Sequence, residues 1–360
     1  MKNNFTIKPI FAETFSNLKL NRDGLIDHYT SIADEYESLL HGVGIRDISF
    51  FNKLFIHGKK SLELLNRLST NSVNDLNELE WKGTVFTNNE GNIIDRTILL
   101  RFEDYLLVIG SGTEKNKLLK WIDRFTLHDD ITVTDALTDY NLFEIIGPES
   151  GSYISMILGD KHAQIQDNKI IRAQIENYFI HSVKCVDNTS CDKYIILVES
   201  KYANDFCGYL LKNTSAFNLS FVGEAAYDVF RIERGVPIVP NELNDNFNPC
   251  EANLTDEIDQ EKKGYIGCEQ VKNSPSHRSS ESKLSGILFG EKLHDDTLNL
   301  TIHDESGVQV GVVTSINSSE IIENSLGIGY VDSDIDQSEL FAINGNSKFK
   351  ITISDFPIKR

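Results

Sequence analysis

Tyr29, Ile32, Ala33, Tyr36, Leu39 and Leu40 recur at helical spacing and stop at Gly42, which predicts an amphipathic helix with a glycine terminator. A short strand is expected over Leu54–Ile56, then, past Gly58, a second helix carrying Leu62, Leu65 and Leu68. Two apolar runs, Ile93 to Leu100 and Tyr105 to Ile109, are separated by Arg101, Glu103 and Asp104 and predict a β-hairpin. Leu118, Trp121, Ile122 and Phe125 return to helical spacing, and Ile131 to Val133 resumes a strand. Strands and helices alternate without a sustained βαβ rhythm, so the fold class is α+β rather than a doubly wound parallel sheet. Between Lys272 and Lys283 the chain reads KNSPSHRSSESK, with no large apolar residue to bury. Beyond it, Ser285 to Phe289, Val308 to Ile316, Leu326 to Val331 and Phe349 to Ile353 are short β-type segments separated by Gly, Asn, Asp and Ser, the pattern of a small all-β barrel or sandwich. The Lys272–Lys283 stretch marks either a linker or a mobile surface loop.

Length and composition narrow the function. A chain of 360 residues is long for one domain, and 40% hydrophobic with 25% charged residues excludes wholesale disorder or a fibrous repeat. The formal charge of −19 opposes a phosphate backbone, so neither nucleic acid nor an anionic membrane is an expected partner. No run approaches the roughly 20 apolar residues of a bilayer span, and Met1 to Arg22 shows no secretory apolar core, which together predict a soluble, cytoplasmic protein. Cys185, Cys191, Cys207, Cys250 and Cys268 form no C-x-x-C pair and the nine histidines are dispersed, so no metal site is expected. Phosphate-loop, dinucleotide and nucleophile-elbow signatures are missing, which removes nucleotide and serine hydrolysis as first readings.

What remains is a set of turns that carry carboxylates. Asn88 to Asn92 is a turn rich in Asn and Gly that feeds an apolar strand with Asp95 embedded in it. A carboxylate placed there is either a partly desolvated electrostatic element or an acid that caps the turn or pairs with Arg96. In Arg231-Ile232-Glu233-Arg234-Gly235-Val236-Pro237, strand alternation would put Arg231 and Glu233 on one face, as a charged site or a solvated edge. Asn248 to Leu254 and Lys262 to Val271 complete the set. The Gly264-Tyr265-Ile266-Gly267 turn permits close backbone approach to a flat ligand.

In order and spacing these segments resemble the superfamily of the glycine cleavage system T-protein (aminomethyltransferase) and the YgfZ-type folate-binding proteins. The resemblance runs through His41 to Ser49 (HGVGIRDIS, similar to the family's "aGlfDvS"), Gly58 with Leu64 to Val73 (LLNRLSTNSV, similar to "fLq.l.TNDv") and Gly91 to Asp95 (similar to "GGiiDD"). It continues through Ile146-Gly147-Pro148, Arg231 to Pro237, Pro249 to Leu254, the turn ending at Glu269, Gly307 to Ser315 and Leu326 to Val331. The resemblance implies a three-domain cloverleaf around a channel for tetrahydrofolate, with an α+β region over 1–275 made of two interleaved subdomains, a linker at 276–283 and a C-terminal all-β barrel domain at 284–360. By the same resemblance Asp95 is the catalytic carboxylate, stabilising a cationic iminium as an aminomethyl group moves from a lipoyl arm to folate. Asn71, Arg231, Glu233, Glu251, Tyr265, Gly267 and Glu269 are implied as cofactor-binding residues.

Two positions depart from the T-protein pattern. Arg96 stands where "DD" has its second acid, and Val183 to Tyr194 lacks the glycines and the Glu of the T-protein middle-domain motif. The YgfZ-type motif "K-G-C-[YF]-x-G-Q-E" corresponds to Lys262 to Glu269, with Gly264 at its cysteine and Cys268 four residues later. Cys268 is therefore a candidate functional thiol, with Lys262 and Lys263 near enough in sequence to favour the thiolate, or a neutral core cysteine. The leading reading is a folate-dependent aminomethyl- or methyltransferase served by a lipoyl carrier protein. The alternatives are a folate-binding accessory factor for iron–sulfur proteins or tRNA modification that acts without turnover, and a diverged scaffold.

Overall fold

A computed structural model describes residue 15 and residues 18–112, 116–126, 130–166, 168–185, 192–214, 216–273, 282–294, 300–335, 339–345 and 347–359. Along the chain run β1 (Lys19–Leu20), β2 (Ile26–His28), α1 (Ile32–His41), β3 (Val43–Asp47), β4 (Lys53–His57), α2 (Ser61–Leu68), β5 (Glu80–Thr87), β6 (Ile93–Arg101) and β7 (Leu106–Ile109). Then come α3 (Lys117–Asp123), β8 (Thr132–Asp135), β9 (Tyr140–Ile146), α4 (Ser150–Leu158), α5 (Asp160–Ala163), β10 (Ile170–Ile175), β11 (Tyr178–Cys185), β12 (Lys193–Glu199), α6 (Ala203–Lys212), β13 (Leu219–Phe221) and α7 (Glu224–Arg234). The last elements are α8 (Cys268–Asn273), β14 (Ser282–Phe289), β15 (Thr301–His303), β16 (Gln309–Asn317), β17 (Leu326–Asp332), β18 (Leu340–Asn344) and β19 (Ser347–Ser354). The chain forms two compact units, the first from 1–65, 73–83 and 97–227, the second from 66–72, 84–96 and 228–360.

In the first unit a six-stranded sheet has the order β10-β11-β12-β9-β3-β13, antiparallel except where β13 pairs with β3. Alternation along its strands buries both faces. Phe143, Ile145 and Ile196 pack with Tyr153 and Ile154 of α4 and Phe206 of α6, whereas Leu142, Ile195 and Leu197 share a core with Leu100, Leu107 and Ile109. The largely antiparallel pairing is the α+β arrangement expected. The predicted helices and hairpin are present: Ser31 caps α1 by accepting from the Asp34 N–H, Gly42 ends it, and β6 pairs with β7 from Ile98↔Ile109 to Arg101↔Leu106. Arg46, from the His41–Ser49 motif, is buried with its guanidinium on Glu224 (2.8 and 3.1 Å) and Glu144 (3.4 Å) and over the Tyr227 ring at 3.7 Å, so that motif braces the first unit.

Lys53 on β4 is fully buried, its ammonium donating to the Ser49 carbonyl at 2.6 Å. Burial lowers its pKa to about 8, against the opposing pull of Asp47, Asp135 and Asp139. Between pH about 8 and the ordinary lysine value of about 10.5, the unfolded chain holds this proton and the folded protein does not. Stability therefore rises with pH across that window, by on the order of 2–3 kcal/mol. Lys53→Met is expected to flatten that rise in urea titrations run from pH 7.5 to 10.5, and an unchanged slope would reassign it.

The second unit carries the all-β segment, a closed barrel in the order β14-β17-β16-β15-β18-β19 with Ile287, Phe289, Ile302, Val331 and Ile351 in its core. The expected four strands are there. β15 and β18 are additional, three and five residues long, too short to stand out as apolar runs. Residues 276–281 of the expected linker and 186–191 of the Val183–Tyr194 departure lie outside the described residues, and β14 already begins at Ser282.

One expectation is corrected. Arg231 to Glu233 is not a strand but the last turns of α7, so Arg231 and Glu233 do not share a strand face. Ala226, Val229 and Phe230 keep helical spacing, but Tyr227, Arg231 and Ile232 are buried too. A helix buried around most of its circumference loses its 3.6-residue signature within a seven-residue window.

Candidate active site

Every residue assigned to the site from sequence lies in the second unit. The Asn88 side-chain oxygen accepts the N–H groups of Glu90 and Asn92, and Gly91 adopts φ +81°, a turn that side-chain hydrogen bonding and glycine make together. The turn delivers the chain into β6, held by Asn92 Nδ2 on the Asp245 carbonyl and by the Ile93 N–H on the Phe247 carbonyl. Alternation along β6 buries Ile93 and Asp95 and turns Ile94 and Arg96 to the other side, so Asp95 is only 5% exposed. Arg96 donates through Nε (2.7 Å) and Nη2 (2.5 Å) to Glu257 Oε1, a partner 161 residues further along the chain. The second Glu257 oxygen, Oε2, is buried without a hydrogen-bond partner.

The 69–71 loop is gripped from two sides. Thr70 Oγ1 donates to the Glu257 carbonyl (2.7 Å) and accepts from the Val85 N–H (3.1 Å), while Thr84 Oγ1 accepts the Asn71 N–H (3.0 Å). Asn71 Oδ1 takes the N–H of Ser72, and the Lys262 ammonium reaches the carbonyls of Ser69 and Asn71. Ser69 Oγ is buried without a partner.

Tyr265, Cys268, Cys250, Ile258 and Val271 form a small apolar cluster. Burial first, then the Cys268 thiol, holds the Tyr265 phenol above its ordinary range. Burial with help from Glu251 pushes the Cys250 thiol up to about 11. Cys268 is buried, its sulfur 3.8 Å from the Lys262 carbonyl oxygen, whereas the Lys262 ammonium is committed to the 69–71 loop. A Cβ on Gly267 (φ +75°) would meet the Asn88 carbonyl oxygen at 2.3 Å, so the close approach this glycine permits is to the turn before β6. Glu269 is exposed in the first turn of α8.

Arg231, Glu233 and Glu251 stand where helix, turns and barrel meet within this unit. Arg231 donates to Asp228 (2.7 Å), Glu242 (3.2 Å) and Ser315 (2.9 Å), and Glu242, fully buried, also accepts from Thr314, Ser315 and the Ile238 N–H. Tyr330 donates to the Glu242 carbonyl and stacks on Phe247, ring centroids 3.5 Å apart. The Glu233 carbonyl accepts the Ile358 N–H. The Glu251 carboxylate accepts the Asn248 N–H, its carbonyl accepts the Leu284 N–H, and Asn253 Nδ2 donates to the Leu284 carbonyl, so the Glu251–Asn253 turn seats β14.

The structure thus gathers Asn71, Tyr265 and Cys268 around Lys262 and sets Gly267 against the turn before β6, the strand that carries Asp95. Arg231 belongs to a separate network. Glu257, Thr70 and Glu242 were missed from sequence as functional or bracing residues, and Lys262 was read only as a charge near Cys268. The one available signal was the polar pair Thr314–Ser315 inside an apolar strand, which marks a buried acceptor opposite it.

The family model of the GCVT N-terminal domain matches residues 13–262. An aminomethyltransferase of Flavobacterium psychrophilum is 26% identical over 324 residues, 85% of this chain and 86% of that protein. Another from Staphylococcus carnosus is 24% identical over 313 residues, 85% of this chain and 83% of that protein. The crystal structure of the glycine cleavage system aminomethyltransferase T from Bartonella henselae superposes with a TM-score of 0.80 at 18% identity, over 97% of this chain and 95% of that one, and so shares its fold. With the family model matched over more than half its length, the chain belongs to the GCVT N-terminal domain family, the T-protein-type superfamily that its motifs resemble.

Proposed function

We propose that this protein is a folate-dependent aminomethyltransferase with Asp95 as its electrostatic residue. The observation that carries the reading is a carboxylate only 5% exposed on β6, inside a segment that matches the family motif. A reduced pterin, whose edge combines N–H donors with a carbonyl acceptor, calls for buried polar partners. In the same unit Glu257 Oε2 and Ser69 Oγ are buried polar atoms without partners, of the kind such an edge would satisfy. Bound tetrahydrofolate would supply the amine nitrogens that take up the one-carbon unit.

The chain's own residues supply orientation and charge. Arg96 lies on the other side of β6 from Asp95 and is paired with Glu257. A preorganised, desolvated carboxylate stabilises a developing cation without solvent reorganisation. The donor in this reading is an aminomethylated thiol on a lipoyl carrier protein. Transfer to tetrahydrofolate forms the methylene adduct and releases ammonia and the free thiol.

Isothermal calorimetry with tetrahydrofolate tests the binding, and release of ammonia from an aminomethylated carrier tests the transfer. Saturable heat with ammonia release supports the enzyme. Heat without release would return the accessory-factor reading, and no heat at millimolar folate would leave only the scaffold.

A further inference from the structure

The carbonyl oxygens of three consecutive residues, Ser69, Thr70 and Asn71, are all taken up by one short segment. The Lys262 ammonium donates to the first at 2.8 Å and to the third at 2.6 Å, and the Asp259 N–H donates to the second at 3.2 Å. Lys262 is 9% exposed, and its ammonium lies 5.9 Å from the centroid of the Tyr265 ring. A buried ammonium is a costly way to fill space, since a Met of similar length would do so without desolvating a charge. Its use here is explained by its donors: one flexible amine satisfies two carbonyls two residues apart with charge-assisted bonds. The same loop is fixed from the other side by Thr84 on the Asn71 N–H and by Thr70 on Glu257 and Val85. The backbone of Asn71 is thereby held at both its N–H and its carbonyl, and its Oδ1, which accepts the Ser72 N–H, ties the side chain to the same loop.

We propose that Lys262 is a positioning residue that locks the 69–71 loop in its ligand-competent conformation, an inference that rests on the folate-site reading of Asn71. Lys262 acts through Asn71 and the shared wall with Tyr265, and not as a charge beside Cys268.

Lys262→Met and Lys262→Arg, made in the full chain, test this with two readouts. Hydrogen exchange by mass spectrometry over 69–72 reads the loop without any ligand, and calorimetry with tetrahydrofolate reads the site. In Lys262→Met, exchange over 69–72 is expected to quicken at least 10-fold and the tetrahydrofolate Kd to rise at least 10-fold. Lys262→Arg, which keeps the charge and two donors, should recover most of both. Ile287→Ala in the barrel core serves as the control for general destabilisation and should leave exchange over 69–72 and the Kd at their original values. Unchanged exchange in Lys262→Met overturns the lock. Faster exchange with an unchanged Kd overturns the positioning role while the folate reading stands. Failure of the unaltered protein to bind tetrahydrofolate overturns that reading, and with it the ligand half of this proposal, whatever the exchange shows.

Discussion

Asp95→Asn is expected to leave the protein folded and able to bind tetrahydrofolate while lowering aminomethyl transfer by about 10²-fold or more, the usual consequence of removing one preorganised electrostatic group. The substitution is nearly isosteric, so the packing of β6, where Asp95 is 5% exposed beside buried Ile93, is kept. What changes is one unit of charge in a place shielded from water, where its effect on a developing cation is larger than at a surface. Arg96 sharpens the expectation. With Asp95 neutral, the Arg96–Glu257 pair remains as a nearly neutral unit and cannot take over. The measurement is kcat for ammonia release set against the calorimetric Kd. A variant with both intact would remove Asp95 from the mechanism, and one with Kd alone impaired would make it a binding residue.

The second large effect is on stability. Arg231→Leu is expected to cost about 3–5 kcal/mol, because it strands the fully buried Glu242 carboxylate without its cation. Glu242 keeps the donors of Thr314, Ser315 and the Ile238 N–H, which soften the loss without removing it. The double variant Arg231→Leu with Glu242→Gln should recover part of the deficit, since it deletes both charges and keeps an acceptor for those donors. Chemical denaturation reads both. A loss below about 1 kcal/mol in the single variant would mean that α7 and the barrel are joined by other contacts.

This second case also marks where reading the chain stops working. Arg231 was visible as a charged residue in a matched motif, but its strand assignment failed, and Glu242 carried no local signal at all. Its acceptor role depends on β16, where Thr314 and Ser315 lie 72 and 73 residues away. By contrast α1, α2, α3, the β6–β7 hairpin and four of the six barrel strands were legible, because each helix prints an apolar face at 3.6-residue spacing and each strand is a short apolar run bounded by polar or turn residues. The residues left Asp95 open, as a desolvated element or an acid that caps the turn or pairs with Arg96, and only the fold shows it buried on β6.

The order of elements, the α+β class and the all-β C-terminal segment were thus determined by the chain itself, through periodicity and turn chemistry that act over a few residues, and the family-type segments by the motifs they resemble. Tertiary structure alone decided partnership: Arg96 with Glu257, Lys262 with the carbonyls of Ser69 and Asn71, Arg231 with Glu242, and Gly267 with the Asn88 turn. A buried charge or carbonyl must be satisfied by whatever group the folded chain brings to it, and that group is chosen by long-range packing that no local pattern encodes.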